Sequence, residues 1–455
     1  MFEDTIIAIS TPLGFGGIGI ARLSGREALP IAECIFKAKK KRQQTPVRKP
    51  ILGNLYDPKS REVFEEAYLT YFPAPASYTT EDVVEISCHG SPVVLEEVVR
   101  LGIQAGARLA DPGEFTLRAH LGGRIDIIQA EAINDLIRAA SVHQARISYR
   151  QMEGSLSTKL KALREQMIRL LSQTEASLEF PDEGLRLSPK HIAKTLERFL
   201  EKVSRLIKSY DLGKSLAEGL TLAITGKTNV GKSTLFNTLL EKDRAIITPY
   251  PGTTRDYLRE TFKIKDALFT LVDMAGLEKT SHPVEKEGIK RGKQLASQAD
   301  GILLVLDASR EENQEDLTLL DKYRDKKTLI LLNKIDLPPK IDLKKIATAA
   351  GDLPRLEISA LRGQNIPQLR QSIHALFVRE EEKEKEVILH LRQKLLLEDI
   401  HKALTQGRKA LESGSGEEIF AEEIRPAVSL IGQLTGEIRA DEVLEDIFSR
   451  FCIGK

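Results

Sequence analysis

One octapeptide limits the folds open to this chain more than any other feature. Gly226-Lys-Thr-Asn-Val-Gly231-Lys232-Ser233 fits GxxxxGK[ST], follows the apolar run Leu220–Thr225 and precedes a helical pattern. Strand, glycine-rich turn and helix in that order make a phosphate cradle. Glycines let backbone N–H groups turn inward, Lys232 sets a point charge on the β and γ phosphates, and the Ser233 hydroxyl ligates Mg²⁺. Further strand-like runs at 269–272, 301–307, 328–332 and 356–359 alternate with helical patterns. Residues 216–378 are therefore expected to form a doubly wound α/β domain with a mainly parallel sheet.

The ends of those strands carry the base-reading chemistry. Asn333-Lys334-Ile-Asp336 follows one and Ser359-Ala360-Leu361 another. A carboxylate at Asp336 can accept hydrogen bonds from N1–H and the exocyclic amine of guanine, whereas adenine offers neither donor, and a buried unpaired carboxylate is costly. Backbone amides at Ser359 and Ala360 would donate to the guanine carbonyl. Asp273-Met274-Ala275-Gly276 would hold the magnesium through water at Asp273 and sense the γ-phosphate at the Gly276 N–H. Val230 and Thr234 complete the phosphate segment. These elements predict a GTP hydrolase.

Leu277 stands where Ras-like GTPases place a water-orienting glutamine, so another group must position the water. Asn229 is read either as a ligand for a monovalent cation beside the phosphates or as an asparagine that shapes the loop. The segment Thr248-Pro249-Tyr250-Pro251-Gly252-Thr253-Thr254-Arg-Asp256 is long enough to close over such a cation with backbone carbonyls, and Thr254 is the expected Mg²⁺-sensing threonine. A K⁺ there would offset developing charge as an arginine finger does.

At 455 residues the chain is expected to hold about three domains. The first 120 residues mix β-rich runs at 5–10, 19–23 and 83–88 with a helical stretch at 93–105, an α+β texture. Residues 121–215 and 379–455 read as helices, interrupted at Pro181-Asp-Glu-Gly184 in the first case and opened in the second by the charge run 379–386, itself a solvated helix or a binding segment. One helical domain with the α/β unit inserted into it is the simplest arrangement. With 67 Lys+Arg against 66 Asp+Glu there is no global field to coat a nucleic acid. Three scattered cysteines support neither a disulfide framework nor a metal knuckle. Cys34 and Cys88 lie in apolar segments and are expected in the core. No signal peptide or membrane span is evident, so a cytoplasmic protein without a membrane partner is expected.

With these motifs in place the chain resembles the MnmE (TrmE) family of tRNA-modification GTPases, of the TrmE-Era-EngA-YihA-Septin-like class. The resemblance runs end to end. It rests on Thr11-Pro-Leu-Gly-Phe-Gly-Gly-Ile-Gly-Ile-Ala-Arg22, Ser77-Tyr-Thr-Thr-Glu-Asp-Val-Val-Glu85, Pro112-Gly-Glu-Phe-Thr116, Gly123-Arg-Ile-Asp126 with Gln129-Ala-Glu131, the Pro-Gly-Thr-Thr-Arg-Asp loop and Phe451-Cys-Ile-Gly-Lys455. It implies an N-terminal domain (1–120) that binds a tetrahydrofolate derivative in its methylene or formyl form and dimerises the chain. It also implies a discontinuous helical domain and a GTPase domain activated by K⁺-dependent dimerisation. The implied assembly is a homodimer in a heterotetramer or larger complex with the flavoprotein MnmG, which brings FAD and NADH. Its implied product is an aminomethyl or carboxymethylaminomethyl group on carbon five of the tRNA wobble uridine.

Residue by residue, Arg22, Glu85, Arg124 and Lys455 match the family's folate positions. Asn229, Thr248, Tyr250 and Thr253 match its K⁺ site. Glu285 in Pro283-Val-Glu-Lys-Glu-Gly288 matches the acid that orients the attacking water, with Glu287 as the neighbouring choice. Met274 for the usual Thr, Leu361 for Arg or Lys, and Arg124 for Lys are departures. Cys452 is either a nucleophile toward the pyrimidine or a residue packing the C-terminal tail. His89 either lines the folate pocket or is a satisfied loop histidine. For tRNA contact, Lys37, Lys39, Lys40, Lys41, Arg42, Arg48 and Lys49 form a basic block, and residues 146–214 carry more Lys and Arg than Asp and Glu. The competing reading is an RNA- or ribosome-assembly GTPase switch that modifies no base.

Overall fold

The computed structural model describes residues 3–40, 44–180, 188–240, 259–265, 267–273, 299–378, 387–414, 416–438, 444, 447–449 and 451–455. The chain divides into two compact units, each made of several segments. The first comprises 1–134, 150–193 and 403–455, and the second 135–149 and 194–402. The turn expected at 181–184 and the charge run 379–386 lie outside the described residues.

In the first unit β1 (Ile6–Ile9), β2 (Gly16–Ser24), β3 (Phe36–Ala38), β4 (Ile51–Tyr56), β5 (Val63–Phe72), β6 (Val83–Gly90) and β7 (Arg108–Leu109) form one sheet in the order β3-β4-β5-β6-β2-β1-β7. All neighbours are antiparallel except β1 and β7. Strand alternation decides what each face carries. Ala21, Leu23, Val84, Ile86 and Cys88 turn toward α1 (Ala28–Ile35) and α2 (Pro92–Gln104) and join one buried cluster with Leu95, Val98 and Leu101. Arg22 and Glu85, directly opposite each other in the β2–β6 register, stand on the other face. Cys88 is buried as expected, but Cys34 is exposed. The apolar stripe of α1 is Ala28, Ile31, Ala32 and Ile35, and the helical period turns Cys34 away from it.

The same unit contains α3 (Glu114–Leu121) and the start of α4 (Ile127–Arg138). It also holds α6 (Ser155–Glu179), which follows α5 (Val142–Met152) in the chain. A buried charge network ties the sheet to α3. The Arg118 side chain, 1% exposed, meets Glu114 Oε1 and Asp4 Oδ1 at 2.8 Å and Glu81 Oε2 at 3.1 Å. Arg108 adds Glu114 at 2.6 Å and Asp4 at 2.8 Å.

The second unit holds α7 (Pro189–Glu218) from residue 194 onward, then β8 (Leu220–Thr225), α8 (Lys232–Leu240), β9 (Arg259–Ile264) and β10 (Ala267–Asp273). After these come β11 (Gly301–Asp307), α9 (Gln314–Lys322), β12 (Thr328–Asn333), α10 (Leu343–Ala350), β13 (Arg355–Ile358) and α11 (Ile366–Phe377). The sheet order is β13-β12-β11-β8-β10-β9, parallel throughout except for β9 on the edge. Every residue of β11 and β12 is buried, as a parallel strand covered on both faces requires. One face packs Leu222, Ile224, Leu303 and Val305 against Leu235 and Leu239 of α8 and Leu369 and Ile373 of α11. The other packs Ala223, Ile302, Leu304 and Leu306 against Leu320 of α9 and Ile346 of α10. The domain is doubly wound.

The chain closes with α12 (Leu391–Glu412) and α13 (Glu417–Thr435). Within the first unit α13 runs antiparallel to α6. Arg425 pairs with Glu175 at 2.7 Å near one end and Arg164 with Glu437 at 2.8 Å near the other. The tail from 444 to 455 returns to the N-terminal part, where Leu444, Ile447, Phe448 and Phe451 pack on Ile127 and Ala130.

Candidate functional site

The loop between β8 and α8 has the backbone of a phosphate cradle. Gly226 and Gly231 adopt φ +140° and +101°, and a Cβ on either would lie 2.3 Å from Val305 O or Asn333 Nδ2. Only glycine fits there. Asn229 is also left-handed, at φ 62°, a conformation asparagine tolerates better than most residues. The Lys232 ammonium is buried and donates to Gly226 O at 2.6 Å and to Lys227 O, so it points into the concavity that phosphate oxygens would share. Ser233 lies in the first turn of α8, where its side chain is exposed.

Asn333 joins three segments into one site. From the end of β12 its Nδ2 donates to Val230 O at 2.8 Å, while its Oδ1 accepts from the Ala360 N–H at 2.9 Å. Lys334, at φ 71°, donates to Asn229 O at 2.7 Å and to Asp307 Oδ2 at 2.6 Å. Burial pushes the Asp307 carboxyl up, but the hydrogen bonds from Lys334 and Ser309 outweigh it and hold it below its ordinary value. Asp336 is exposed and already oriented, because Ser359 Oγ donates to its Oδ1 at 2.6 Å.

The amides expected to meet the guanine carbonyl are spent otherwise: Ser359 N–H donates to Gln364 O at 3.2 Å and Ala360 N–H to Asn333. Thr238 Oγ1 of α8 clamps the same loop by donating to Ala360 O at 3.0 Å. Leu361 projects outward, 74% exposed. Of Asp273 only the backbone is described, and Thr248, Pro249, Tyr250, Pro251, Gly252, Thr253, Thr254, Met274, Ala275, Gly276 and Glu285 lie outside the described residues.

In the first unit the four residues matched to folate positions come together in two steps. Arg22 Nε and Nη2 converge on Glu85 Oε1 at 3.0 and 2.8 Å. Lys455 is brought to them by the returning tail. Ser10 Oγ donates to Gly454 O at 3.0 Å, and Gly454, at φ +91°, sits so close to Ile9 O that a Cβ would be 2.1 Å away. Burial lowers the pKa of the Lys455 ammonium, the Arg22 guanidinium lowers it further, and Glu85 and Cys452 oppose them without cancelling the effect. Arg124 is linked through Tyr78: its guanidinium lies 4.9 Å from the ring centroid, and that of Arg22 lies 5.5 Å from the same ring. Such distances are in cation–π range.

Cys452 accepts backbone bonds at its carbonyl from Gly113 (3.4 Å) and Lys455 (3.3 Å), and its side chain is exposed. The His89 ring is 2.9 Å from Glu65 Oε1, which makes it a satisfied histidine. In the basic block Lys39 pairs with Glu66 and Arg48 donates to Ala76 O, and Lys41 and Arg42 lie outside the described residues. Tyr78 and Asp307 escaped the sequence reading. The signal for Asp307 was its place at the carboxyl end of a wholly apolar strand, where open α/β sheets bind ligands.

A phosphate loop bonded through Asn333 to a carboxylate-bearing base loop defines the second unit's sheet domain as a P-loop GTPase domain. Family models agree at both ends of the chain. Residues 5–124 match the N-terminus of the GTP-binding protein TrmE, and residues 127–452 match the MnmE helical domain. The tRNA modification GTPase MnmE of Thermoanaerobacter sp. (strain X514) is 40% identical over 460 residues, covering 100% of both chains. That of Aquifex aeolicus is 38% identical over 455 residues, again covering 100% of both. Among solved structures, Era of Aquifex aeolicus is similar over 41% of this chain and 67% of its own, at 28% identity and a TM-score of 0.28. The chain belongs to the MnmE family of tRNA-modification GTPases. Among the described residues no helix is long and apolar enough to cross a membrane.

Proposed function

We propose that this chain hydrolyses GTP to drive modification of the tRNA wobble uridine at carbon five, using a one-carbon unit carried on tetrahydrofolate. One observation carries this reading. In addition to the guanine-nucleotide site the chain builds, within its first unit, a constellation in which Arg22 pairs with Glu85 near the Lys455 ammonium and shares the Tyr78 ring with Arg124. A GTPase that only switches RNA binding has no need of such a site. The carboxylate suits the amino and N–H donors of a pterin, and the cations suit a glutamate tail. Both Arg22 bonds fall on Glu85 Oε1, so Oε2 is the oxygen to meet a pterin donor. Bound folate in its methylene or formyl form would supply the one-carbon unit. The partner in this reading is the flavoprotein MnmG with its FAD and NADH, and the chain acts as a homodimer. Nucleoside analysis of tRNA from cells lacking this protein is the decisive test. Loss of the wobble-uridine modification is expected, and an unchanged nucleoside profile would favour the assembly-switch reading.

In the GTPase step Lys232 and the loop amides would neutralise phosphate charge, Ser233 and Thr254 would hold Mg²⁺, and Asp336 would read the base. Asn229 with Thr248, Tyr250 and Thr253 would hold K⁺. Turnover is then expected to be faster in KCl than in NaCl at equal ionic strength, and equal initial rates would remove the cation from the mechanism. Glu285→Ala should lower turnover and leave GTP affinity nearly intact, which nucleotide titration alongside phosphate release can separate. Deleting Lys455 is expected to weaken 5-formyltetrahydrofolate about tenfold, the value of one charge-assisted contact. Unchanged calorimetric affinity would take the tail out of the site.

A further inference from the structure

The basic block at 37–49 reads as a solvated face or a contact for RNA phosphates, yet the structure turns one of its members into a groove of its own. Arg48 and Arg124, far apart in sequence, line one open groove of about 550 Å³ together with Ser77, Thr80, Gly122 and Gly123. No carboxylate lines it. In a chain whose other arginines so often meet acids, these two have no ion pair among the described residues. Arg48 Nη2 donates to Ala76 O at 2.5 Å and Arg124 Nη1 to Tyr78 O at 2.9 Å. Each guanidinium has five N–H donors, so each keeps a fork for an incoming anion.

The groove walls are held in uncommon backbone conformations. Arg48 and Thr80 are non-glycine residues at φ 54° and 68°, and Gly123 is at φ 76°. Clustered left-handed residues mark places where surroundings impose the conformation, and these collect at ligand sites. A Cβ on Gly122 would lie 2.1 Å from Thr80 Oγ1 and displace it, whereas a Cβ on Gly123 would meet nothing within 4 Å. The floor is closed and the mouth is open.

We propose that this groove is a subsite for the γ-linked glutamates of a folate polyglutamate, with Arg48 as a binding residue for a carboxylate beyond the first. The inference rests on the folate reading of the neighbouring cluster. The connection is Tyr78, which follows the groove residue Ser77 and has both the Arg22 and Arg124 guanidiniums against its ring. A ligand with its pterin at Glu85 and its first carboxylate at Arg124 has its next carboxylates directed along a groove whose remaining cation is Arg48. Planar guanidinium forks bind carboxylates bidentately, and successive glutamates repeat that group.

The test is calorimetry on the full chain with 5-formyltetrahydrofolate as its monoglutamate and its pentaglutamate. The wild type is expected to prefer the pentaglutamate about tenfold. Arg48→Asn should erase that preference and leave the monoglutamate affinity within about twofold, because asparagine accepts the positive φ at that position. Equal affinity of the two forms for the wild type, or a preference that survives Arg48→Asn, would overturn the subsite. Failure of both forms to bind would instead sink the folate reading and the subsite with it. If Arg48→Asn weakens tRNA binding in a gel-shift titration and leaves the pentaglutamate preference intact, the groove belongs to RNA and the proposal is wrong.

Discussion

Asp336→Asn is expected to lower the affinity for GTP by about a hundredfold or more and to raise that for xanthosine triphosphate. The carboxylate is already oriented by Ser359 Oγ at 2.6 Å, so if Asp336 reads the base as proposed, little orientation entropy is lost when guanine arrives. In the variant an NH₂ replaces one acceptor oxygen and meets an N–H of guanine donor to donor. Xanthine has a carbonyl at that edge and accepts the new donor instead. Competition titrations with GTP and xanthosine triphosphate read the exchange directly, and an unchanged ratio would remove Asp336 from the base site. Ser359→Ala should weaken GTP less, because it frees the carboxylate without removing it.

The second large effect concerns stability. Arg118→Met leaves Glu114 and Glu81 facing a buried methionine, and losing one partner of a buried ionic network costs about 3–5 kcal/mol. Arg164→Met removes a partly exposed pair with Glu437 and should cost less than about 1 kcal/mol. Hydrogen exchange resolved to the amides of β1, β6 and α3 suits this comparison, since a chain of several domains need not unfold in one step. Equal protection in the two variants would mean that burial adds nothing. The pH dependence follows from Glu114 and Asp4. Burial pushes both carboxyls up, but bonds from Arg108 and Arg118 prevail and hold them below their ordinary values. Their contribution is complete above the ordinary carboxylate range near pH 4 and is lost as pH falls through the lowered folded values. The gap between wild type and Arg118→Met should therefore narrow in acid.

The sheet of the GTPase domain was legible because its strands are short apolar runs buried on both faces. The run 301–307 matches β11 residue for residue. β9 was missed for the opposite reason. As an edge strand reading Arg-Glu-Thr-Phe-Lys-Ile it has only Phe262 and Ile264 apolar among charged and polar residues, so there is no apolar run to find. β4 and β5 escaped in the same way, since half of each strand faces away from the core. In the nucleotide site the phosphate loop and Asp336 could be read from spacing, because local chemistry fixes both. What the amides of Ser359 and Ala360 do could not, because Asn333 and Gln364 claim them only once the loop is folded. Arg48 was read with its sequence neighbours, although the groove that it lines is otherwise built from Pro75–Ser77, Thr80 and residues 122–124. Sequence proximity misleads wherever a backbone turn sends one side chain away from its block.

The docking of Gly454 against Ile9 sets a schedule for biosynthesis. Ser10 and Gly454 are 444 positions apart, so the strands carrying Arg22 and Glu85 leave the ribosome and pair long before Lys455 is translated. Until then the N-terminal sheet has no tail beside it. A chain that stopped after residue 402 would hold every strand of the GTPase sheet yet lack the Lys455 ammonium. On the folate reading, such a product would lack one cation of the folate cluster, a defect that an assay of phosphate release alone would not register.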